Sequence, residues 1–395
     1  MGEGFILTVN GGSSSIKFAV FSDKDATERI LNGQVERIGN PDAQLVAKHA
    51  GNAAEDRRPI RAENHHNATE FIAEYIREQL GADAVAAIGH RVVHGGVHLL
   101  EHRLITPEVI AELRRTQPLD VTHLPREIAL IEAFAKAFGG RPQVACFDTA
   151  FHRNMPTMGR LLPIPRKYTD AGIRRFGFHG LSYTYLMDRL RDVAGAEAAG
   201  GRVVLAHLGS GASMAAVCGG KPIDTTMAFT PTAGLVMGTR PGDLDPGLLV
   251  YLMKEEKLSA EDMDQFISSR CGLVGISQTS ADMRDLLAAR ANDPRAADAV
   301  NLFCYQARKH LCALVSTLGG LDTIVFAGGI GEHVPEVRAA ICEGLDFLGL
   351  KIDTAKNARG GDVISADESP VSVRIITTDE EIVIVRIVRA ILAET

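Results

Sequence analysis

The chain has 395 residues, of which 46% are hydrophobic and 23% are charged, and its formal net charge is −7. This composition is typical of a globular protein that buries a large core, and the length predicts two domains or one large domain with insertions. The acidic balance provides no basic surface of the kind that nucleic-acid-binding proteins use, and it indicates no membrane surface either.

The six cysteines are spread between positions 146 and 342, and none forms a CxxC pair. Neither a zinc site nor a disulfide framework is predicted, and reduced thiols in a cytosol fit best. The first residues contain no apolar segment of signal-peptide length, and no run of about 18 apolar residues predicts a transmembrane helix. We therefore expect a cytoplasmic protein.

The amino-terminal segment VNGGSSSIKF joins two predicted strands, at 5–9 and 16–20, through a polar turn. The backbone N–H groups of a glycine turn, the hydroxyls of Ser13, Ser14 and Ser15, and the charge of Lys17 would suit a phosphate. The alternative is a plain hairpin, since glycine and serine are common in turns.

The rest of the first half predicts alternating helices and strands, after a polar stretch at 22–64 that predicts weak strands and loops. Asn67 to Leu80 has the apolar spacing of a helix, which Asn67 can cap and Gly81 can end. Further predictions are a strand at 85–93, a helix beginning at Thr106-Pro107, a helix at 127–138 ended by Gly139 and Gly140, and a strand at 143–147.

The second half loosely repeats the strand, glycine turn and strand of the amino terminus. A helix at 181–193 precedes a strand at 203–208, the glycine turn GSGAS and a strand at 214–217. Further predictions are a long helix from Asp293-Pro294 to about Leu318, a strand at 323–326, a third glycine turn in AGGIGEH, a strand at 371–376 and a closing helix at 379–393. The repeat indicates two related halves of an α/β protein, with ligands at the strand ends.

The glycine turns favour a polyphosphate ligand over a dinucleotide. Neither a GxxxxGK[ST] loop nor a complete GxGxxG motif occurs, so dinucleotide binding has little support. Three glycine turns that follow apolar runs, together with Lys17, support a polyphosphate ligand more strongly than any one turn alone.

His90, His94 and His98 are spaced by four residues, and on a helix they would align as metal ligands. The neighbouring valines favour a strand, and two glycines after His94 would interrupt a helix. A metal site at these histidines is therefore disfavoured.

Charged side chains at strand ends and turns form a second set of candidates. Arg91 follows an apolar strand, Asp148 ends another, and glycines flank His179 and Arg240. Arginine makes planar, bidentate contacts with phosphate or carboxylate, and in-line phosphoryl transfer depends on positioning and charge neutralisation. The alternatives are a solvated Arg91 and ordinary turn chemistry around the two sequences FDTAFH and DLDP.

At this point the chain resembles the acetate kinase family, within the acetate and sugar kinase/Hsc70/actin superfamily. The motifs that carry the resemblance cover nearly the whole chain in order: VNGGSSSIKF, GHRVVHGG, FDTAFH, RRFGFHGLSY, HLGSGAS, AFTPTAGLVMGTRPGDLDPG, SADMRDL, FAGGIGEH and TTDEEI.

The resemblance implies an α/β fold of two duplicated domains, the actin-like (ribonuclease H-like) ATPase fold, with the active site in the interdomain cleft. The implied domains are 1–150 with 380–395, and 151–379. The implied reaction is direct in-line transfer of the γ-phosphoryl group of ATP to acetate, and its reversal from acetyl phosphate and ADP. It would need Mg²⁺, or Mn²⁺ in its place, in a cytoplasmic homodimer without nucleic-acid or membrane partners.

Residue roles follow from the resemblance alone. Arg91 and Arg240 would hold the carboxylate and the migrating phosphoryl group, His179 would stabilise the transition state, and Asp148 would be the acidic residue near the attacking carboxylate. The other implied residues are Asn10 and Glu380 at the metal, Lys17 near the phosphates, Val93, Thr122, Phe178 and Pro231 around the methyl group, and His207, Leu208, Gly209, Ser210, Gly211, Asp282, Met283, Arg284, Gly329, Ile330, Gly331, Glu332 and His333 at the nucleotide.

The implied chemistry agrees with the candidate residues. Acetate is already ionised at neutral pH and brings its own nucleophilic oxygen, so no strong base is required. The task is to align two anions and cancel their repulsion, which arginines and Mg²⁺ can do.

Several positions depart from the motifs usual in the family. Ser210 and His333 replace asparagine, Val97 replaces glutamate, Pro241 replaces serine, and Thr122 replaces leucine at the methyl pocket. A hydroxyl in an apolar pocket must find a hydrogen-bond partner, so Thr122 leaves the choice of acid open. The alternatives are a kinase for propionate or butyrate, and a non-catalytic nucleotide-binding protein of the superfamily, which would be expected to lack the acceptor-side arginines, aspartate and histidine.

Overall fold

The computed structural model describes residues 4–12, 14–52, 54–81, 83–121 and 123–394. Ser13 and Thr122, both singled out from the sequence, lie outside the described residues. The chain divides into two compact units, Met1–Arg153 with Asp379–Thr395, and Asn154–Thr378. Across the described ranges, no helix is long and apolar enough to cross a membrane.

The strands are β1 Phe5–Gly11, β2 Ile16–Ser22, β3 Arg29–Glu36, β4 Gln44–His49, β5 Asp56–Pro59, β6 Val85–Val92, β7 Arg103–Leu104, β8 Gln143–Phe147, β9 Arg202–Leu208, β10 Ala212–Cys218, β11 Lys221–Thr225, β12 Thr323–Ala327 and β13 Ser372–Ile375. The α-helices are α1 His65–Leu80, α2 Pro107–Thr116, α3 Leu124–Ala137, α4 Thr157–Arg160, α5 Arg166–Asp170, α6 Gly180–Gly200, α7 Pro246–Glu255, α8 Ala260–Ser269, α9 Gly272–Ser277, α10 Met283–Ala289, α11 Pro294–Leu318, α12 Gly328–His333, α13 Pro335–Cys342, α14 Thr354–Arg359 and α15 Glu380–Ala393.

The first unit is built on a sheet with the strand order β5-β4-β3-β2-β1-β6-β8-β7. β1 to β5 form an antiparallel meander, whereas β1, β6 and β8 are parallel to one another. Because parallel strands end at the same edge of a sheet, the residues that follow β1, β6 and β8 come close together.

Helices cover the first sheet through their apolar faces. Ile72 and Ile76 of α1 and Phe134 of α3 belong to one buried cluster with residues of β1 to β4. The closing helix α15 packs on β6, where Gly89 has no side chain and Ile384 and Val388 occupy the space that a Cβ atom would need. The packing of α15 thus depends on a glycine two residues before Arg91.

The second unit has a smaller sheet with the order β11-β10-β9-β12-β13. Its central strand β9 pairs antiparallel with β10 on one side and parallel with β12 on the other, as β1 does with β2 and β6. This common pattern agrees with the repeat read from the sequence. The carboxyl ends of β9 and β12 meet at one edge, where the second and third glycine segments lie.

Helix ends that were predicted from capping residues, prolines and glycines are confirmed for α1, α2 and α11. Thr106 caps α2 with Pro107 in its first turn, and Gly81 ends α1. Asp293 caps α11, and Gly319 ends it in the left-handed conformation with φ 68°.

Other predictions were wrong in detail. Asn64, rather than Asn67, caps α1, because its side chain accepts the N–H of Asn67 and adds a turn to the helix. The segment AGGIGEH forms the short helix α12 rather than an open turn, and the Glu332 carboxylate accepts the N–H of Gly328 at its start. In the polar stretch 22–64, for which weak strands and loops were predicted, the strands are β3 to β5, and their partly exposed faces explain the polar composition.

Candidate functional site

Three of the predicted site residues meet at the carboxyl edge of the first sheet. Asn10 lies near the end of β1, Arg91 near the end of β6, and Asp148 directly after β8. Glu380, the first residue of α15, completes the group. We call these four residues the Arg91 cluster.

The guanidinium group of Arg91 is held on several sides by oxygen atoms. Its Nη2 donates to Asp148 Oδ2 at 2.6 Å, its Nε lies 3.2 Å from both oxygens of that carboxylate, and its Nη1 donates to Asn10 Oδ1 at 3.1 Å. Glu380 Oε2 is 3.8 Å from Nε. Asp148 is 1% exposed and Arg91 is partly buried, so this is a bidentate ion pair with a buried carboxylate.

Burial opposes the positive charge of Arg91, but the carboxylates of Asp148 and Glu380 outweigh that effect and raise its pKa. The side chain therefore stays charged and its orientation is fixed before any ligand binds. Such a preorganised cation can receive an anionic oxygen without reorienting.

Glu127 contacts this region and was not predicted from the sequence. Its buried carboxyl group accepts the backbone N–H of Val93, the residue after β6. The apolar spacing of α3 contained a signal, because Leu124, Ile128 and Ile131 mark a buried face on which Glu127 also falls. A charged residue on an apolar helix face is a candidate for a specific partner.

Lys17 is the cross-strand partner of Asn10 in the β1–β2 pair, so both side chains point to the same face of the sheet. Lys17 is exposed and lines a polar groove with other side chains of the first unit, among them Gln34, Lys48 and Glu381. It lies beside the Arg91 cluster and does not contribute a bond to it among the described contacts.

His179 of the second unit is held by hydroxyl groups. It has a left-handed backbone, φ 57°, directly before α6, and its Nδ1 lies 2.8 Å from Ser213 Oγ. Ser213 Oγ in turn hydrogen-bonds to the Tyr183 hydroxyl. With Nδ1 engaged, the other ring nitrogen, Nε2, is the one that points toward Gly211. Neither Ser213 nor Tyr183 was predicted as a site residue.

His207, at the end of β9, stacks on His179 with ring centroids 4.4 Å apart. Its Nδ1 lies 2.9 Å from Ser182 Oγ, which also hydrogen-bonds to Thr378. Each ring of the pair is therefore oriented by a serine of its own.

Arg240 and His179 converge on Gly211. A Cβ atom at Gly211 would lie 2.7 Å from Arg240 Nη2 and 3.3 Å from His179 Nε2. Arg240 is also anchored by donating from Nη1 to the carbonyl of Pro231, at 2.6 Å. The second unit thus brings a guanidinium group and an imidazole to one glycine.

The predicted nucleotide residues lie on neighbouring turns of the second unit. A Cβ atom at Gly209 would lie 4.0 Å from the nitrogen of Gly329, and one at Gly328 would lie 2.7 Å from the carbonyl oxygen of Leu208. The turn after β9 and the helix α12 after β12 are therefore adjacent. Asp282 caps α10 and pairs with the exposed Arg284 at 2.6 Å.

The units divide the predicted site residues between them. The first unit contains Asn10, Lys17, Arg91, Val93, Asp148 and Glu380. The second unit contains Phe178, His179, His207, Leu208, Gly209, Ser210, Gly211, Pro231, Arg240, Asp282, Met283, Arg284, Gly329, Ile330, Gly331, Glu332 and His333. Val93 and Phe178, both predicted for the methyl pocket, are buried apolar residues at 5% and 1% exposure.

The donor set of the Arg91 cluster is compatible with Mg²⁺. Asn10 and Glu380 offer an amide and a carboxylate oxygen, and protein Mg²⁺ sites commonly use one or two carboxylates together with substrate phosphates and water. Among the described residues, no group of three or more His, Cys, Asp or Glu side chains is arranged to hold a metal ion.

Comparisons with known proteins place this arrangement in context. A sequence model of the acetokinase family matches residues 5–386. An acetate kinase of Rhodopseudomonas palustris is 43% identical over 96% of this chain and 96% of its own length. A propionate kinase of Citrobacter rodentium is 39% identical over 99% of this chain and 98% of its own length.

Solved structures show the same similarity. The crystal structure of Porphyromonas gingivalis acetate kinase covers 98% of this chain and 100% of its own, with a TM-score of 0.87 and 35% identity. The crystal structure of a Francisella tularensis propionate kinase covers 97% of this chain and 98% of its own, with a TM-score of 0.91 and 32% identity. These likenesses confirm the predicted α/β class of fold.

Proposed function

Because the chain belongs to the acetokinase family, we propose that it transfers the γ-phosphoryl group of ATP to acetate and catalyses the reverse, ATP-forming reaction. The observation that carries the proposal is the Arg91 cluster, in which a partly buried cation is fixed at a sheet edge before any substrate binds. A preorganised guanidinium group is suited to a carboxylate acceptor.

On the acceptor side, Arg91 would bind the acetate carboxylate. Acetate is ionised near neutral pH, so one of its oxygens can attack phosphorus without a base. Asp148 would keep the guanidinium group in the orientation that presents the acid to the phosphoryl group. Val93, Phe178 and Pro231 would surround the methyl group.

On the phosphoryl side, Arg240 and His179 would stabilise the charge on the migrating group. Their terminal nitrogens both lie beside Gly211, and donors aimed at developing charge lower the barrier of an in-line transfer. The hydrogen bond between His179 Nδ1 and Ser213 Oγ would keep Nε2 directed to the phosphoryl group. The turns at 207–211, 282–284 and 329–333 would hold the nucleotide, with Lys17 near its phosphates.

Asn10 and Glu380 would hold Mg²⁺, with Mn²⁺ as an alternative ion. The bound ion would neutralise part of the negative charge on the ATP phosphates. The requirement is tested by titrating Mg²⁺ or Mn²⁺ against ATP consumption.

The direct test is the steady-state rate of acyl phosphate formation, trapped with hydroxylamine, with Mg·ATP and each of acetate, propionate, butyrate and glycolate. We expect acetate to give the highest kcat/KM. Nucleotide binding without acid-dependent turnover on any of the four would contradict the proposal and support a non-catalytic role.

Propionate is the second candidate substrate. It is favoured by the similarity to a propionate kinase at 39% identity and by Thr122, at the position where the family usually has leucine. We expect Thr122→Leu to change the relative kcat/KM for propionate and acetate, by no more than about 1–3 kcal/mol in transition-state free energy, as for methylene-sized pocket changes. Unchanged ratios would remove Thr122 from the acyl pocket.

We further propose a homodimer formed through α7 and the neighbouring part of α11. α7 has no buried residue, and its Leu248, Val250 and Tyr251 are 41%, 52% and 58% exposed. Tyr305 on α11 is 57% exposed, and the contact between Asp243 and His310 places α11 beside the start of α7. A second copy of this chain would cover these apolar side chains. The six free thiols support a cytosolic location.

A further inference from the structure

Glu127 is a buried carboxyl group to which the proposed reaction gives no role. It lies in the first turn of α3 and is 5% exposed. Its two oxygens lie 3.1 and 3.2 Å from the backbone nitrogen of Val93. The carboxyl group therefore accepts the hydrogen of that N–H and connects the helix to the end of β6.

The contact between Glu127 and Val93 lies at the end of β6, where the pairing with β8 ends. β6 ends at Val92, whose pairing with Phe147 is the last in the register with β8. Val93 follows it and is 5% exposed, so its N–H is shielded from water. A buried N–H that lacks an acceptor is costly. Glu127 supplies that acceptor and fixes the direction in which the chain leaves the strand.

Both neighbours of this contact belong to the proposed acceptor side. Val93 would contact the methyl group, and Arg91, two residues earlier, would bind the carboxylate. We propose that Glu127 is a positioning residue, which holds Val93 and through it Arg91 in place to receive the acid. This inference rests on the proposed function.

The charged groups around Glu127 give the contact a pH dependence. Burial raises the pKa of Glu127 to about 8, Asp120 in the turn before α3 adds to the rise, and Arg91 of β6 opposes it. Asp148 after β8 also faces the group, while His123 and His94 act on Asp120. Glu127 thus remains largely protonated at neutral pH and gains a negative charge above pH 8, beside the site that is to bind an anion.

The test uses three variants of the full-length protein. Glu127→Leu removes the acceptor, Glu127→Gln keeps an acceptor oxygen but cannot ionise, and Glu132→Gln is the control on the exposed face of α3, where Glu132 pairs with Arg114. The measurements are kcat, the KM for acetate and the KM for ATP between pH 6 and 9, together with the melting temperature.

For Glu127→Leu we expect the KM for acetate to rise by about tenfold, with the KM for ATP unchanged within about twofold, as the loss of one buried hydrogen bond would produce. Equal increases in both KM values would indicate general damage and overturn the inference, as would an unchanged KM for acetate.

We expect the KM of the wild type for acetate to increase above pH 8. For Glu127→Gln we expect a wild-type KM for acetate at pH 7 and no increase above pH 8. If Glu127→Leu fails to fold, this variant decides the question, because a persistent alkaline increase in KM would overturn the inference. The proposed function fails separately, if the wild type itself shows no acid-dependent turnover.

Discussion

Arg240 and Arg91 carry similar proposed roles but lie in different surroundings. Arg240 is partly exposed and donates to a backbone carbonyl, whereas Arg91 neutralises a carboxylate that is 1% exposed. Removing the guanidinium group of Arg91 takes the ion-pair partner from a buried carboxylate. The Arg91 substitution should therefore cost more stability than the Arg240 substitution.

We expect Arg240→Ala to lower kcat by about 10²–10³, because it removes a donor aimed at the transition state. The melting temperature should change little. Arg115→Ala, at a side chain that is 71% exposed, is the matched control and should leave kcat unaltered. A kcat for Arg240→Ala within tenfold of the wild type would remove Arg240 from the phosphoryl site.

Arg91→Ala should also lower kcat by orders of magnitude, and in addition destabilise the protein by about 3–5 kcal/mol, because the buried Asp148 carboxylate loses its guanidinium partner. The double variant Arg91→Met with Asp148→Asn should regain much of that stability without regaining turnover. Urea denaturation and the acyl phosphate assay measure the two effects. Equal stability of the single and double variants would contradict the proposed ion-pair energetics.

The raised pKa of Glu127 predicts the direction in which the free energy of unfolding changes with pH. Its pKa of about 8 in the folded protein exceeds the ordinary value of 4.5, so the folded state binds the proton more tightly. The free energy of unfolding should fall as the pH rises from 4.5 to 8. Glu127→Gln lacks this loss, so its stability relative to the wild type should be greater at pH 8 than at pH 5. A constant difference across denaturation curves at the two pH values would show that Glu127 does not titrate in this range.

Individual residues could be proposed for the site from the sequence where they lie at a turn or at the end of a strand. Arg91, Asp148, His179 and Arg240 stood beside glycines or at the ends of apolar runs, and the family motifs contained all four. Glu127, Ser213 and Tyr183 lie within regular elements and act by orienting another group. A single sequence does not reveal them, because their roles depend on contacts across the fold.

At the scale of elements, local chemistry predicted helices better than it predicted the meander of the first sheet. The ends of α11 follow from Asp293, Pro294 and Gly319, which act within one turn. β3 to β5 depend on pairing with strands that are distant in sequence, and their outward residues are polar. Their polarity therefore made the predicted strands weak and left their bounds undefined, because pairing with the neighbouring strands determines them.

The packing of α15 on β6 gives a prediction at this scale. We expect Gly89→Ala to destabilise the protein by about 1–3 kcal/mol, because the added Cβ atom would overlap Ile384 and force the helix away from the strand. Gly200→Ala is the control, since nothing lies within 4 Å of the corresponding position. Chemical denaturation measures both, and equal stability of the two variants would show that α15 adjusts freely.

At the scale of the whole molecule, the exposed apolar face of α7 predicts an assembly. Leu248→Asp with Tyr251→Asp places two charges on that face, and a proposed dimer should then dissociate at least tenfold more readily, because the burial of a charge opposes association. Phe347→Asp, at a side chain that is 76% exposed on a different part of the unit, is the control. Light scattering with size-exclusion chromatography measures the mass. A monomeric wild type, or a dimeric double variant, would contradict the proposed interface.

Gly211 has a consequence for the mutational tolerance of the protein. It has no side chain, and the space that a side chain would need is already occupied by Arg240 and His179. In a saturation scan scored by acyl phosphate formation, we therefore expect every substitution at Gly211 to be as harmful as loss of the Arg240 or His179 side chain, which we propose to be catalytic. Such a scan would therefore mark Gly211 as intolerant of substitution, although the groups that the substitutions displace belong to Arg240 and His179.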